Sequence, residues 1–366
     1  MTLGSSAARH TPPEGTASAP SVPARVAATV DADFWDLFTP KSSGLTGQTG
    51  SGRWSGGDST CSVPLPDGRT VWLFSDTFLG PINPDGSRPP TAPLIHNSLV
   101  VQEGETLTTL HGGSPSAPRA YFTPADGSSW YWISGGVVDG GFLYVFLLKF
   151  VRHGSQYWEW DWTGTDLARL RLPSLQVESI RPVPVRNGIR YGAALLQTDE
   201  YTYIFGVEDL HYEKFAHLAR VPRGTPHGSW TFFDGGGWSA LPGRSARILT
   251  DSVGTEFSVI PVRGGYLLIT VDTSLPVSEW RDIVAFFADA PEGPWVRDRV
   301  LYRATEPDRR AIFVYNAHAH PQFSTGSDLL ISYDVNSNRV EDVYADANLF
   351  RARFVRVDLP EYLPET

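Results

Sequence analysis

The chain has 366 residues, a net charge of −10 and only 19% charged residues, but it carries 35 Gly, 29 Pro and 12 Trp. No basic run offers a surface to a nucleic acid or an anionic membrane, and no apolar stretch reaches the ~18 residues of a spanning helix. Frequent Gly and Pro leave little room for long helices, so the composition predicts short strands joined by tight turns.

Residues 1–30 are rich in Ala, Ser, Thr and Pro and lack the apolar segment of a signal peptide. They read as a disordered leader, with residues 31–366 forming one domain. That leader, and a lone Cys61 that excludes an internal disulfide, suit a cytoplasmic protein, or a secreted one whose signal has been removed. Cys61 itself reads as a small core residue.

Two β-like runs follow, Gly56-Gly57-Asp58-Ser59-Thr60 and Phe74-Ser75-Asp76-Thr77-Phe78, joined through Pro66-Asp67-Gly68. A hairpin centred on Asp67 pairs residues whose numbers sum to 134, which sets Asp58 opposite Asp76 with Cβ atoms about 5 Å apart. Carboxylates that close do not ionise together: one is expected to keep its proton and the other its charge. One acid beside one nucleophile or base is the requirement of glycoside cleavage.

Downstream, a β-hairpin recurs about every 60–70 residues, each copy carrying a strongly apolar strand after a turn. The copies are Val71-Trp72-Leu73-Phe74, Leu143-Tyr144-Val145-Phe146, Thr202-Tyr203-Ile204-Phe205, Tyr266-Leu267-Leu268-Ile269 and Leu329-Leu330-Ile331-Ser332. These strands are expected to be the innermost of five four-stranded units, giving an all-β, five-bladed β-propeller. Either residues 34–38 or residues 353–359 would supply the strand that closes the ring.

In such a ring the strand ends meet at one mouth, where His96-Asn97, Asp139, Tyr191, Glu208-Asp209 and Glu256 are candidates. Trp130, Tyr131 and Trp132 could form a sugar-stacking platform or belong to the core. Glu208-Asp209 has the alternative of salt bridges to Lys214 or to an arginine such as Arg351 or Arg353. Glu256 sits in an apolar run, where an acid needs a partner or a task. In Tyr315-Asn316-Ala317-His318-Ala319-His320, strand alternation turns Asn316, His318 and His320 to one side. The histidines suit substrate binding, a buried hydrogen-bonded pair, or two ligands of a structural metal ion in the channel.

At these residues the chain resembles a propeller family, long a domain of unknown function, that includes endo-acting D-arabinofuranan hydrolases. The resemblance is carried by Trp54-Ser55-Gly56-Gly57-Asp58, Pro64 to Thr70, Phe74-Ser75-Asp76-Thr77, His96-Asn97-Ser98, Tyr191-Gly192-Ala193-Ala194, Glu256-Phe257-Ser258-Val259, Tyr315 to Pro321 and Arg351 to Val357. It implies a five-bladed propeller and retaining cleavage of furanosidic bonds, with Asp58 leaning to nucleophile and Asp76 to acid/base. The candidate carbohydrate contacts at the mouth are His96, Asn97, Trp132, Tyr191, Glu208, Glu256, Tyr315, Asn316, His318 and Arg351; no cofactor is required, and a propeller without an exposed edge is expected to be a monomer. Ser75 stands where glycine is usual, Gln322 where glutamate is, and residues 131–135 lack the usual Pro and acid. These departures keep two alternatives: a propeller of the same ancestry serving small-molecule biosynthesis, and a non-catalytic carbohydrate-binding propeller.

Overall fold

The computed structural model describes residues 26–40, 52–154, 159–183, 187–306 and 311–362. Nearly all of the regular structure is β; the two α-helices, Ala32–Leu37 and Val340–Ala345, have six residues each. No helix among the described residues is long and apolar enough to cross a membrane.

Five antiparallel sheets carry the fold. The first contains Cys61–Pro64, Thr70–Phe74, Ser98–Glu103 and Thr106–Leu110 in that spatial order. The second contains Ser129–Asp139, Phe142–Arg152, Trp160–Arg171 and Gln176–Pro182. The third begins with Ile189–Gln197, Tyr201–Asp209 and Lys214–Pro222, and the fourth contains Ser258–Val262, Gly265–Val271, Asp282–Ala288 and Val296–Arg303. The fifth orders Ile312–Ala319, Asp328–Ser337 and Arg351–Asp358, and Ala28–Val30 pairs with the last of these at its edge.

The edge strand of the fifth sheet is neither of the two segments expected to complete it. Residues 353–359 lie largely within the third strand, and residues 34–38 lie mostly in the helix that follows Ala28–Val30. The leader expected over residues 1–30 falls outside the described residues as far as 25, and its last three residues are this strand.

The recurring apolar segments are each the second strand of a sheet, not the innermost. Second strands are covered on both faces by neighbouring sheets and flanked by partners on both edges, so they read as the most apolar. Leu73, Leu143, Ile204, Leu268 and Leu330 are all 0% exposed. The first strands of these five sheets and adjoining loop residues instead line a shared cavity of about 360 Å³, through Cys61–Pro64, residues 135–138, 193–197 and 257–261, and His318, Ala319, Pro321 and Gln322.

Local chemistry repeats as well. Trp230 and Trp295 each follow a Pro/Gly turn and donate an indole N–H to the carbonyl of a proline four residues earlier, at 3.1 and 3.3 Å.

Candidate active site

The 134 register holds where the turn dictates it: Cys61 pairs with Leu73 and Pro64 with Thr70. It resumes at Gly57–Thr77 and Gly56–Phe78, but there the strands belong to a separate small sheet. Ser59 and Thr60 intervene with φ of +79° and +50°, a left-handed kink that non-glycine residues seldom adopt. Asp58 and Asp76 sit in this gap, joined through the backbone by Asp58 N–H to Asp76 O (3.3 Å) and Ser75 N–H to Asp58 O (2.9 Å). The kink also turns the Ser59 and Thr60 hydroxyls toward other sheets, where they fix two further carboxylates.

Asp58 accepts a 2.8 Å hydrogen bond at Oδ2 from the Tyr315 hydroxyl, which in turn accepts one from Asn336 Nδ2 at 3.3 Å. Its other oxygen, Oδ1, is buried with no hydrogen-bond partner among the described residues. Burial first, then the charges of Asp76, Asp334 and Glu256, push the Asp58 carboxyl well above the usual carboxylate range, with Tyr315 acting in the opposite direction.

Asp76 has a different setting. Its Oδ1 accepts from Trp132 Nε1 and lies against His96 Nδ1, both at 2.8 Å, while Oδ2 has no protein bond among the described residues. Trp132 enters from the second sheet, and His96 follows a strand that pairs with Thr77–Leu79. Two ring nitrogens on one oxygen fix the orientation of the carboxyl group.

Two more acids lie below the pair. Glu256, 7% exposed, receives the Ser59 hydroxyl at 2.7 Å on Oε2 and meets His318 Nε2 at 3.1 Å. Asp334, 0% exposed, receives the Thr60 hydroxyl at 2.7 Å on Oδ1, and its Oδ2 is buried without a partner. Burial foremost, with Glu256 adding to it, raises the Asp334 carboxyl well above the ordinary range. Asn316, with φ of +47° at a bulge, receives the Thr255 hydroxyl at 3.3 Å.

Sequence reasoning thus places Asp58, Asp76, His96, Trp132, Glu256, Tyr315, Asn316 and His318 in one connected cluster. His96 and Trp132 hold Asp76, which makes them positioning groups before they are substrate contacts. Asp334, Ser59, Thr60 and Asn336 are not among the sequence candidates, and Ser75 stands out there only as a departure from glycine. Asp334 had a visible signal, an acid within the apolar run Leu329 to Val335.

Four expected contacts lie elsewhere. Asn97 is 0% exposed and spends its amide on Phe122 and Tyr131 backbone at 2.7–3.0 Å. Tyr191 is 0% exposed, packed edge-on to Trp230, with its hydroxyl 3.1 Å from Ser245. Glu208 accepts from Arg247 at 2.7 Å, and Asp209 pairs with Arg190 at 2.6 Å and Lys214 at 3.7 Å, so the salt-bridge alternative is the one the structure contains. Arg351 lies against the Trp35 ring at 4.8 Å and bonds Asn348 at 3.1 Å, with burial lowering its guanidinium to about 9. Each polar group is satisfied within the scaffold, as burial requires.

The paired histidines diverge to opposite neighbours. His318 meets Glu256 and Ser258 of the fourth sheet's side, whereas His320 lies 2.6 Å from Ser62 and 2.8 Å from Ser332, both ring nitrogens engaged by hydroxyls. Burial and His318 hold the His320 imidazole well below its ordinary range. Among the described residues no three His, Cys, Asp or Glu side chains group as metal ligands do.

Residues 47–359 match a family model described as a domain of unknown function, DUF5005. None of the curated proteins matches the chain. A candidate hydrolase from Bacteroides ovatus superposes with a TM-score of 0.74 at 21% identity, over 90% of each chain. A GH43_12 protein from a capybara gut metagenome gives 0.51 at 9% identity, covering 83% of this chain and 51% of that one. A variant of the GH43 protein BlXynB from Bacillus licheniformis gives 0.50 at 10% identity, covering 86% and 52%. This chain spans about half the length of those two GH43 proteins. The likeness is one of fold, the all-β propeller of glycoside hydrolases.

Proposed function

The chain belongs to the DUF5005 family, and on that premise we propose that it is a glycoside hydrolase, a five-bladed propeller cleaving furanosidic, D-arabinofuranosyl-type bonds with Asp58 and Asp76. The observation that carries the reading is the contrast between the two carboxyls. Asp58 is enclosed, favours its proton and keeps Oδ1 free of protein bonds. Asp76 has Oδ1 held by the Trp132 indole N–H and by His96 Nδ1, and Oδ2 open.

This contrast reverses the roles to which the sequence leans. Asp58 gives its proton to the glycosidic oxygen as the bond to the anomeric carbon breaks, and the leaving group departs as an alcohol. Asp76 Oδ2 attacks that carbon and forms a glycosyl ester. Water, deprotonated by Asp58, then displaces Asp76, so the anomeric configuration is retained and both carboxyls return to their starting states. Tyr315 holds the acid in place and resists titrating itself, because burial and Asp58 keep its hydroxyl far above its usual range. No cofactor enters these steps, and the protein acts as a monomer.

The test is product release from D-arabinan and from a panel of synthetic furanosides and xylosides, alongside Asp58→Asn and Asp76→Asn. Sugar release by the parent, with losses of about 10³-fold or more in each variant, is expected. An inert parent across the panel removes the hydrolase reading. Equal activity in either variant removes its aspartate from the mechanism.

A further inference from the structure

The first strand of the fifth sheet, Ile312–Ala319, runs from the mouth of the site toward the cavity. Tyr315 reaches Asp58, and His318 and Ala319, further along the strand, line the cavity. Strand alternation divides its side chains between two faces. On one face Ile312 and Val314, with Val335 of the next strand, are buried in a core shared with Ile260, Leu267 and Ile269 of the fourth sheet.

The other face turns toward the first sheet. There the ladder sets Tyr315 opposite Asp334 and, one step nearer the mouth, Phe313 opposite Asn336. The inner pair is committed, Tyr315 to Asp58 and Asp334 to Thr60, at 2.8 and 2.7 Å. The outer pair is not. Phe313 stays partly exposed and joins none of the buried apolar clusters among the described residues. Its ring lies 5.2 Å from that of Tyr315, the planes at 48°. Asn336, also partly exposed, donates one amide N–H to the Tyr315 hydroxyl at 3.3 Å and accepts Ser337 N–H at 2.7 Å. Its second amide N–H has no acceptor among the described residues.

Two residues along a strand advance about 7 Å, so Phe313 and Asn336 stand just mouthward of the proton donor and its tyrosine. In the displacement at the anomeric carbon the leaving group departs on the side of the acid, away from the nucleophile. Trp132 and His96 crowd Asp76, the nucleophile, whereas Phe313 and Asn336 border Tyr315, the partner of the acid. A half-exposed ring offers a flat apolar face to the C–H side of a sugar, and an amide beside it meets the hydroxyls at that sugar's rim.

We propose that Phe313 and Asn336 form the leaving-group subsite, and that the group they take is itself a sugar, which makes the substrate a glycan of two or more residues. The inference rests on the glycoside hydrolase reading, with Asp58 as the acid.

The test compares methyl α-D-arabinofuranoside with the disaccharide methyl 5-O-α-D-arabinofuranosyl-α-D-arabinofuranoside. A methoxyl leaving group is too small to reach Phe313, whereas the disaccharide's leaving sugar covers it. The parent is expected to favour the disaccharide about tenfold or more in kcat/KM. Phe313→Ala is expected to lower kcat/KM for the disaccharide about tenfold and to leave the methyl glycoside within about twofold, and Phe313→Tyr, which keeps the ring, to retain most of the preference. Equal losses on both substrates, or none on either, overturn the subsite and leave the hydrolase reading standing, as does equal cleavage of the two by the parent. Cleavage of neither overturns the arabinofuranosyl hydrolase reading, and calorimetric binding of the disaccharide then decides the subsite. Saturation that weakens about tenfold in Phe313→Ala sustains it. No binding, or equal binding by parent and variant, overturns it.

Discussion

Asp334 carries the cost of a buried acid most plainly, with one oxygen on Thr60 and the other unpaired. Its raised carboxyl means that the folded state holds a proton which the unfolded chain releases above about pH 4. Stability is therefore fullest below that pH and declines as pH rises toward the folded-state value. Asp334→Asn removes the titration, so the variant is expected to exceed the parent by about 1–3 kcal/mol near neutral pH, with the gain fading at about pH 4. Urea denaturation at pH 4 and pH 8 checks this; a variant destabilised equally at both would contradict it. Single residues also mark the limit of reading the sequence. Glu256 stood out because an acid in an apolar run needs a partner. Asn97, Tyr191 and Arg351 were equally polar, but their partners, such as Phe122, Ser245 and Asn348, are backbone or side chains that no local pattern reveals.

Register is the element-scale property that was most legible, because a short turn fixes which residues face each other. The sum of 134 holds on both sides of Asp58 and Asp76. What the arithmetic missed was the Ser59–Thr60 kink, since left-handed φ at non-glycine residues has no sequence signature of its own. Another junction depends on one side chain. Asp31 caps the helix Ala32–Leu37 by accepting Phe34 N–H at Oδ1 (2.9 Å) and accepts Arg356 Nε at Oδ2 (2.6 Å), tying that helix to the fifth sheet. Asp31→Ala leaves the helix uncapped and a partly buried Arg356 unpaired, and is expected to cost about 2–4 kcal/mol. Asp31→Asn keeps the cap and recovers about 1 kcal/mol of that loss. Thermal denaturation of both variants measures the split, and equal losses would refute a capping share.

Across the whole molecule, the Ser59–Glu256–His318 contacts lie between the carboxylate pair and the cavity lined by the five first strands. Cys61 lines that cavity, and burial, with Glu256 adding its charge, pushes its thiol up to about 12. Alkylation by iodoacetamide at pH 8 is therefore expected to be about 10³-fold slower in the folded protein than in urea. Fast labelling of the native protein would show that the thiol is neither buried nor held neutral. The five repeating hairpins were readable in the apolar second strands, whereas the lining first strands were not, because their facing residues are a mixture of small, polar and apolar types. The fifth sheet holds one last implication. Its edge strand, Ala28–Val30, pairs with Arg351–Asp358, so Ala28 faces Val357 across almost the whole described chain. Bringing two such distant segments together closes a loop as large as the fold itself, so this seam is expected to zip up after the other four sheets have formed.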